Sequence, residues 1–177
     1  MPSQTVARYT PVARLLHWTT AVLVLATIPM GFVLLDLPPG RLQNTLFDVH
    51  RSIGVLLFVL VAVRLAWRLT HPPPPLPAGV PAWQHLASAA VHHLLYAILL
   101  IQPIIGWWGT SAFGAPINVF WLFELPALVG KDEPTAKQIL AWHGIIGITL
   151  SVAIAIHIGA ALFHHFVRRD GVLRRML

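Results

Sequence analysis

The sequence predicts an all-α fold: a four-helix transmembrane bundle with both termini cytoplasmic. Three observations predict it. Of the 177 residues, 56% are hydrophobic and only 10% are charged, where a soluble domain carries about 25% charged residues. The apolar residues gather into four runs, each long enough to cross a bilayer core, which takes about 20 residues. The cations sort by side. Arg8 and Arg14 precede the first run, Arg64 and Arg68 end the second, and Arg168, Arg169, Arg174 and Arg175 follow the fourth with Asp170 as the one acid among them. The opposite side mixes Arg41, Arg51, Lys131 and Lys137 with Asp36, Asp48, Glu124, Asp132 and Glu133. Cytoplasmic loops carry the excess of Lys and Arg, so both termini are expected there. The formal charge of +6 is therefore a topology signal, and no nucleic-acid partner is expected.

Each element follows in order. Span one covers residues 12–35, with Pro29 and Gly31 as places where it can kink; membrane helices tolerate both. Its apolar stretch is too long for a signal peptide, has no small-residue cleavage site and is interrupted early by His17-Trp18. A retained first helix is expected. Asp36 to Asp48, with Pro38-Pro39-Gly40, reads as an outer loop. Span two covers 49–69 and stops before Pro72-Pro73-Pro74-Pro75, because proline lacks the amide hydrogen a helix needs. The run to Pro81 reads as an extended cytoplasmic connector. Span three covers 85–108, with Pro103 and Gly106 near its outer end, and span four covers 139–167. The connector between them, Gly109 to Gln138, is the longest. Its piece Val119-Phe120-Trp121-Leu122-Phe123 is expected to form a short helix lying at the outer interface. Tryptophans cluster near the span ends, as in an aromatic belt. One domain, 1–177, accounts for the chain.

The informative residues are four histidines at matched depths: His17, His50, His143 and His157. An ionisable side chain within a span is costly and points to function, and neutral imidazole is a good iron ligand. His143 and His157 lie fourteen residues apart on one span. That is about four turns and about 21 Å, with the rings pointing within about 40° of each other. His50 opens span two from the outer side, level with His143. His17 lies near the inner end of span one, level with His157. The spacing suits two stacked bis-histidine hemes, His50 with His143 outside and His17 with His157 inside. The plain alternative is four structural histidines bonded to carbonyls. There is no cysteine, which excludes disulfides, thiolate ligands and covalent heme attachment, so any heme is held non-covalently.

Other residues compete or assist. His92 begins span three at the inner level, as an alternative ligand or a group beside a heme propionate. His164 lies on the stripe of His157, but pairing it with His143 would separate the irons by about 31 Å. His164 and His165 instead suit a lipid phosphate, a quinone or a propionate. Arg64 returns to the face of His50 fourteen residues on. It can pair with inner propionates or act as a snorkelling anchor, and both readings stay open. Arg51 and Lys137 lie on the outer side, as propionate partners, anion-steering charges or ordinary interfacial cations. Gly54, Gly144, Gly147 and Gly159 follow the ligand candidates and permit close approach by a macrocycle or a neighbouring helix.

Together, Arg14-Leu15-Leu16-His17-Trp18, Asp48-Val49-His50, Val63-Arg64-Leu65, His92 with Tyr96, Pro103 and Gly106, and Trp142-His143 with His157 and His164-His165 resemble the prokaryotic cytochrome b561 family. The resemblance covers nearly the whole chain, and order and spacing carry it. It implies four helices holding two b-type hemes through His17, His50, His143 and His157. It further implies oxidation of superoxide to dioxygen on the outer side, with electrons passing to ubiquinone. Related cytochrome b subunits use the scaffold to dock hydrogenases or dehydrogenases, so a redox partner protein is the alternative expectation. Membrane lipid is the surrounding partner in either case.

Overall fold

The computed structural model describes residues 7–77 and 79–177. Helix α1 runs Pro11–Asp36, α2 Arg41–Thr70, α3 Ala82–Phe113 and α4 Glu133–Phe163. Each start has a local cause. Thr10 caps α1, its hydroxyl accepting from the Ala13 amide at 3.2 Å, and Pro11 sits in the first turn where its missing amide hydrogen costs nothing. Asp132 caps α4 through the Thr135 amide, and Pro134 follows. Gly114 ends α3 at φ 83°, a left-handed conformation open to glycine.

Three of the helices are longer than hydropathy predicts. The expected outer loop 36–48 shrinks to a short turn, because α2 starts at Arg41. Residues such as Arg41, Gln43, Asn44 and Asp48 are polar, so an apolar window misses them, yet a helix can continue into the headgroup region. Gln43 secures this turn by donating to the carbonyls of Leu34 and Leu37 at 3.2 and 2.9 Å, which the end of α1 leaves without helical partners. Helix α3 gains residues at both ends and α4 begins at Glu133 rather than Ile139.

The expected interfacial helix at 119–123 is instead a hairpin. Strands β1, Ile117–Val119, and β2, Phe123–Leu125, pair antiparallel with Asn118 opposite Glu124. Phe120 and Trp121 sit at φ 48° and 58° at the tip, and the Leu122 amide donates to the Val119 carbonyl at 2.9 Å. Aromatic and β-branched residues favour a pleated strand over a helix. Ser52 on α2 holds the tip from below. It accepts from the Phe120 amide at 2.8 Å, and its hydroxyl faces the carbonyls of Asp48 and Asn118 at 2.6 and 3.1 Å. Left-handed bulky residues cost on the order of 1–3 kcal/mol each, so such an anchor is needed.

The helices run up, down, up and down. The Tyr9 amide donates to Arg175 O at 3.0 Å and the Trp18 indole to Met176 O at 2.9 Å. Arg14 donates to the Leu177 carbonyl and Arg175 to the Pro74 carbonyl. The start of α1, the last residues of the chain and the proline connector therefore share one end of the bundle, and the hairpin lies at the other. Helix α4 packs along α3, α1 along α2 and α2 along α3, while α4 is not closely packed against α1 or α2. Only 11–17% of residues in each apolar window are buried, so most apolar side chains face outward, as lipid contact requires.

Candidate functional site

The four histidines meet in two pairs across the bundle. At the level nearer the hairpin, labelled outer after the expected topology, the rings of His50 on α2 and His143 on α4 are 6.3 Å apart between centroids, at 76°. At the inner level His17 on α1 and His157 on α4 are 6.2 Å apart, at 70°. Two metal–nitrogen bonds of about 2.0 Å and two ring radii of about 1.1 Å would put facing imidazoles about 6.2 Å apart. Both pairs have this spacing, and both join helices that do not pack backbone to backbone. Among the described residues no group of three or more His, Asp or Glu converges as a metal-ion site. A bare ion would need about four protein donors. Paired histidines suit a planar macrocycle that supplies the other four ligands itself, so the residues fit heme.

The surroundings explain how the outer rings are held. Thr27 on α1 lies 3.3 Å from His50 Nδ1, which leaves Nε2 for another partner. A Cβ on Gly31 would come within 3.1 Å of His50 Cε1, and one on Gly106 within 3.0 Å of His143 Cε1. These two glycines, one on α1 and one on α3, let the rings lie against bare backbone. Gly54, Gly144 and Gly159 have nothing within 4 Å of an added Cβ, and Gly147 meets only Gln102 at 3.4 Å. The glycines that touch the histidine rings are thus Gly31 and Gly106, while Gly54, Gly144 and Gly159 border open space. Gln102 on α3 donates to the His143 carbonyl at 2.7 Å. His143 Nδ1 is buried with no hydrogen-bond partner.

The inner level is more crowded. His92 lies 5.2 Å from His157 between centroids, at 84°. That is about 1 Å short of the spacing needed to share a metal, so His17 fits opposite His157 better than His92 does. His92 Nδ1 donates to the Ser88 carbonyl at 2.6 Å, a bond that fixes its ring. Arg64 donates to His17 Nδ1 at 2.8 Å, and its guanidinium lies 5.3 Å from the Tyr96 ring centroid. Arginine has no acceptor, so in this arrangement His17 carries its proton on Nε2. For Nε2 to bind a metal, the proton must move to Nδ1 and Arg64 must turn away. Arg68, also over Tyr96 at 5.8 Å, adds a second cation at this level.

The remaining candidates are less central. Arg51 is occupied. It donates to the Pro116 carbonyl at 3.2 Å, lies 3.5 Å from Asp48 and stacks 5.2 Å over Phe47. Lys137 is exposed near the start of α4. His164 opens a π-helical turn, His164–Arg168, and its Nδ1 lies 2.6 Å from Asp170. Burial alone would raise the Asp170 carboxyl, but hydrogen bonds from His164, the Val172 amide and Arg168 hold it below its ordinary value. Thr27, Gly31 and Gln102 are the site residues that sequence reasoning does not single out for this role. The polar Gln102 inside an apolar span is the one visible signal among them.

Known proteins bear on this geometry. The family described as prokaryotic cytochrome b561 matches residues 8–177. Cytochrome b561 homolog 2 of Escherichia coli K12 is 34% identical over 178 residues, covering 99% of this chain and 94% of that protein. Cytochrome b561 homolog 1 of the same organism is 29% identical, with 92% of each chain covered. A Yersinia pestis protein named "Probable superoxide oxidase CybB" is 28% identical over 92% of this chain and 91% of its own length.

Proposed function

The chain belongs to the prokaryotic cytochrome b561 family, and from that premise we propose that it is a diheme superoxide:ubiquinone oxidoreductase. It is a multi-pass inner-membrane cytochrome, and heme b is the cofactor of its family. In our reading His50 and His143 hold an outer heme b and His17 and His157 an inner one. The observation that carries this is the pair of ring separations, 6.3 and 6.2 Å, on one continuous α4. The hemes, when bound, supply two one-electron stations across the membrane.

The chain's own residues set the rest. Each heme would be held by a pair of histidines, His50 with His143 and His17 with His157, so the chain would leave no iron position for a substrate and the group would supply outer-sphere electron transfer. Superoxide suits this, because it leaves as dioxygen after losing one electron. Two superoxide anions would reduce one ubiquinone, which takes up two protons and leaves as ubiquinol. Lys137 attracts the anion at the outer end, while Arg51 is largely neutralised by Asp48. Arg64, which now contacts His17, is the residue that would hold the inner propionates by a charge-assisted contact. The name of the Yersinia pestis relative supports superoxide as donor.

A second reading has a specific observation in its favour. The hairpin exposes Trp121, Leu122 and Phe123 by 61, 80 and 55%, an apolar outer surface that a periplasmic dehydrogenase or hydrogenase could cover while this chain relays its electrons. One experiment separates the readings. The purified protein should contain two heme b per chain and reduce ubiquinone when superoxide is the only donor. One heme per chain would overturn the two-pair assignment. Two hemes without superoxide-driven turnover would favour the relay.

A further inference from the structure

The C-terminal turn forms a second, separate site. The π-helical turn at the end of α4 closes on Arg169 in a left-handed conformation, φ 53°, with Gly171 following at φ 81°. This fold-back shapes a half-open cavity of about 250 Å³ lined by His165, Phe166, Arg169, Gly171 and Arg174. Three of the five lining residues carry cationic or ionisable nitrogen. Asp170 is the only acid of this segment, and its carboxylate is occupied by His164, Arg168 and the Val172 amide. Among the described residues neither Arg169 nor Arg174 meets a carboxylate. Arg169 Nε donates to the Phe166 carbonyl at 3.3 Å, which orients the guanidinium and leaves its other nitrogens free of that bond.

Depth identifies the ligand class. The fourth span, Glu133–Arg168, has 36 residues, or about 54 Å of helix. A bilayer with its headgroups is about 40–45 Å thick, so the last turn lies at headgroup level. Phe166, which lines the cavity, and Val167 beside it are 65 and 68% exposed, an apolar surface available to acyl chains. A neutral quinone would leave the arginines uncompensated, and arginine offers donors only. A phosphate oxygen set accepts from several such donors at once.

We propose that this cavity binds the phosphate of an anionic phospholipid headgroup, held by Arg169, Arg174 and His165, with the acyl chains running past Phe166. The strained Arg169 backbone is then part of a built lipid site rather than an accident of the chain end.

The test uses the purified heme-loaded protein in neutral detergent and follows thermal unfolding. Phosphatidylglycerol should raise the midpoint, phosphatidylcholine at the same concentration should not, and high salt should remove the difference. The R169Q/R174Q variant should keep its heme spectrum and its lipid-free midpoint but lose the phosphatidylglycerol shift. R169K/R174K should keep part of it. Equal shifts with the two lipids, or an undiminished shift in the glutamine variant, would overturn the site. Inorganic phosphate reproducing the whole shift would overturn the lipid as its source. Should the glutamine variant fail to fold, the two-lipid comparison on the unmodified protein at low and high salt still decides.

Discussion

His157 has two imidazole neighbours, and a difference of one ångström separates their roles. His17 sits at 6.2 Å and His92 at 5.2 Å between centroids. If His17 is the ligand, His17→Ala should drop heme content from two to one per chain, while His92→Ala keeps two and only shifts the inner heme's absorbance or potential. Heme-to-protein ratios of the two variants decide it, and the reverse pattern would make His92 the ligand. The outer cations differ in a similar way. Lys137→Gln should slow superoxide-driven quinone reduction about two- to five-fold at low salt and flatten its salt dependence, since exposed charges act through a screened field. Arg51→Gln should change the rate less, because Asp48 and the Pro116 carbonyl already engage that guanidinium. Equal rates for Lys137→Gln and the unmodified protein would remove Lys137 from the substrate's path.

At the scale of elements, the hairpin and the long helices depart most from hydropathy. Val119 to Phe123 is apolar over its whole length, and neither a period of two nor one of 3.6 can be read from five such residues. Its form depends on Ser52, 68 residues from Phe120 in sequence. Ser52→Ala should destabilise the outer cap by about 1–3 kcal/mol, because the Phe120 amide would lose its acceptor in a part-buried setting. Hydrogen exchange should then quicken at Phe120 and Leu122 while the helices stay protected. Unchanged exchange at the tip would mean that strand pairing alone holds the turn. The helix extensions have a simpler origin. A hydropathy window reports where lipid begins, and hydrogen bonding of the helix continues past it.

For the whole molecule, the start of α1, the last residues of the chain, the proline connector and the arginine-rich ends of α2 and α4 occupy one end. From the charge asymmetry we propose that this end faces the cytoplasm. The chain has no cysteine, so a single introduced one is a clean reporter. Ala7→Cys and Leu177→Cys should be labelled by a membrane-impermeant thiol reagent only after cells are opened, and Leu122→Cys in intact spheroplasts. Labelling of Ala7→Cys from outside would invert the topology, and with it the assignment of the two heme levels. With that end in the cytoplasm, the proposed lipid cavity would lie in the inner leaflet, within reach of anionic headgroups.

The sequence by itself determined the number of spans, their order and the depth of each candidate ligand. These depend on local composition and on the 1.5 Å rise of a helix, which need no partner. It also made the pairing readable, since one helix carrying His143 and His157 sets two levels, and His50 and His17 fall at them. Only the tertiary structure decided which glycines touch the rings, because Gly31 and Gly106 approach histidines on other helices and their neighbours in sequence say nothing of that. It also decided that Arg51 is occupied, that Arg64 reaches His17, and that His164 turns to Asp170. Those outcomes depend on how helices are rotated and offset against one another, a long-range property that no local pattern encodes.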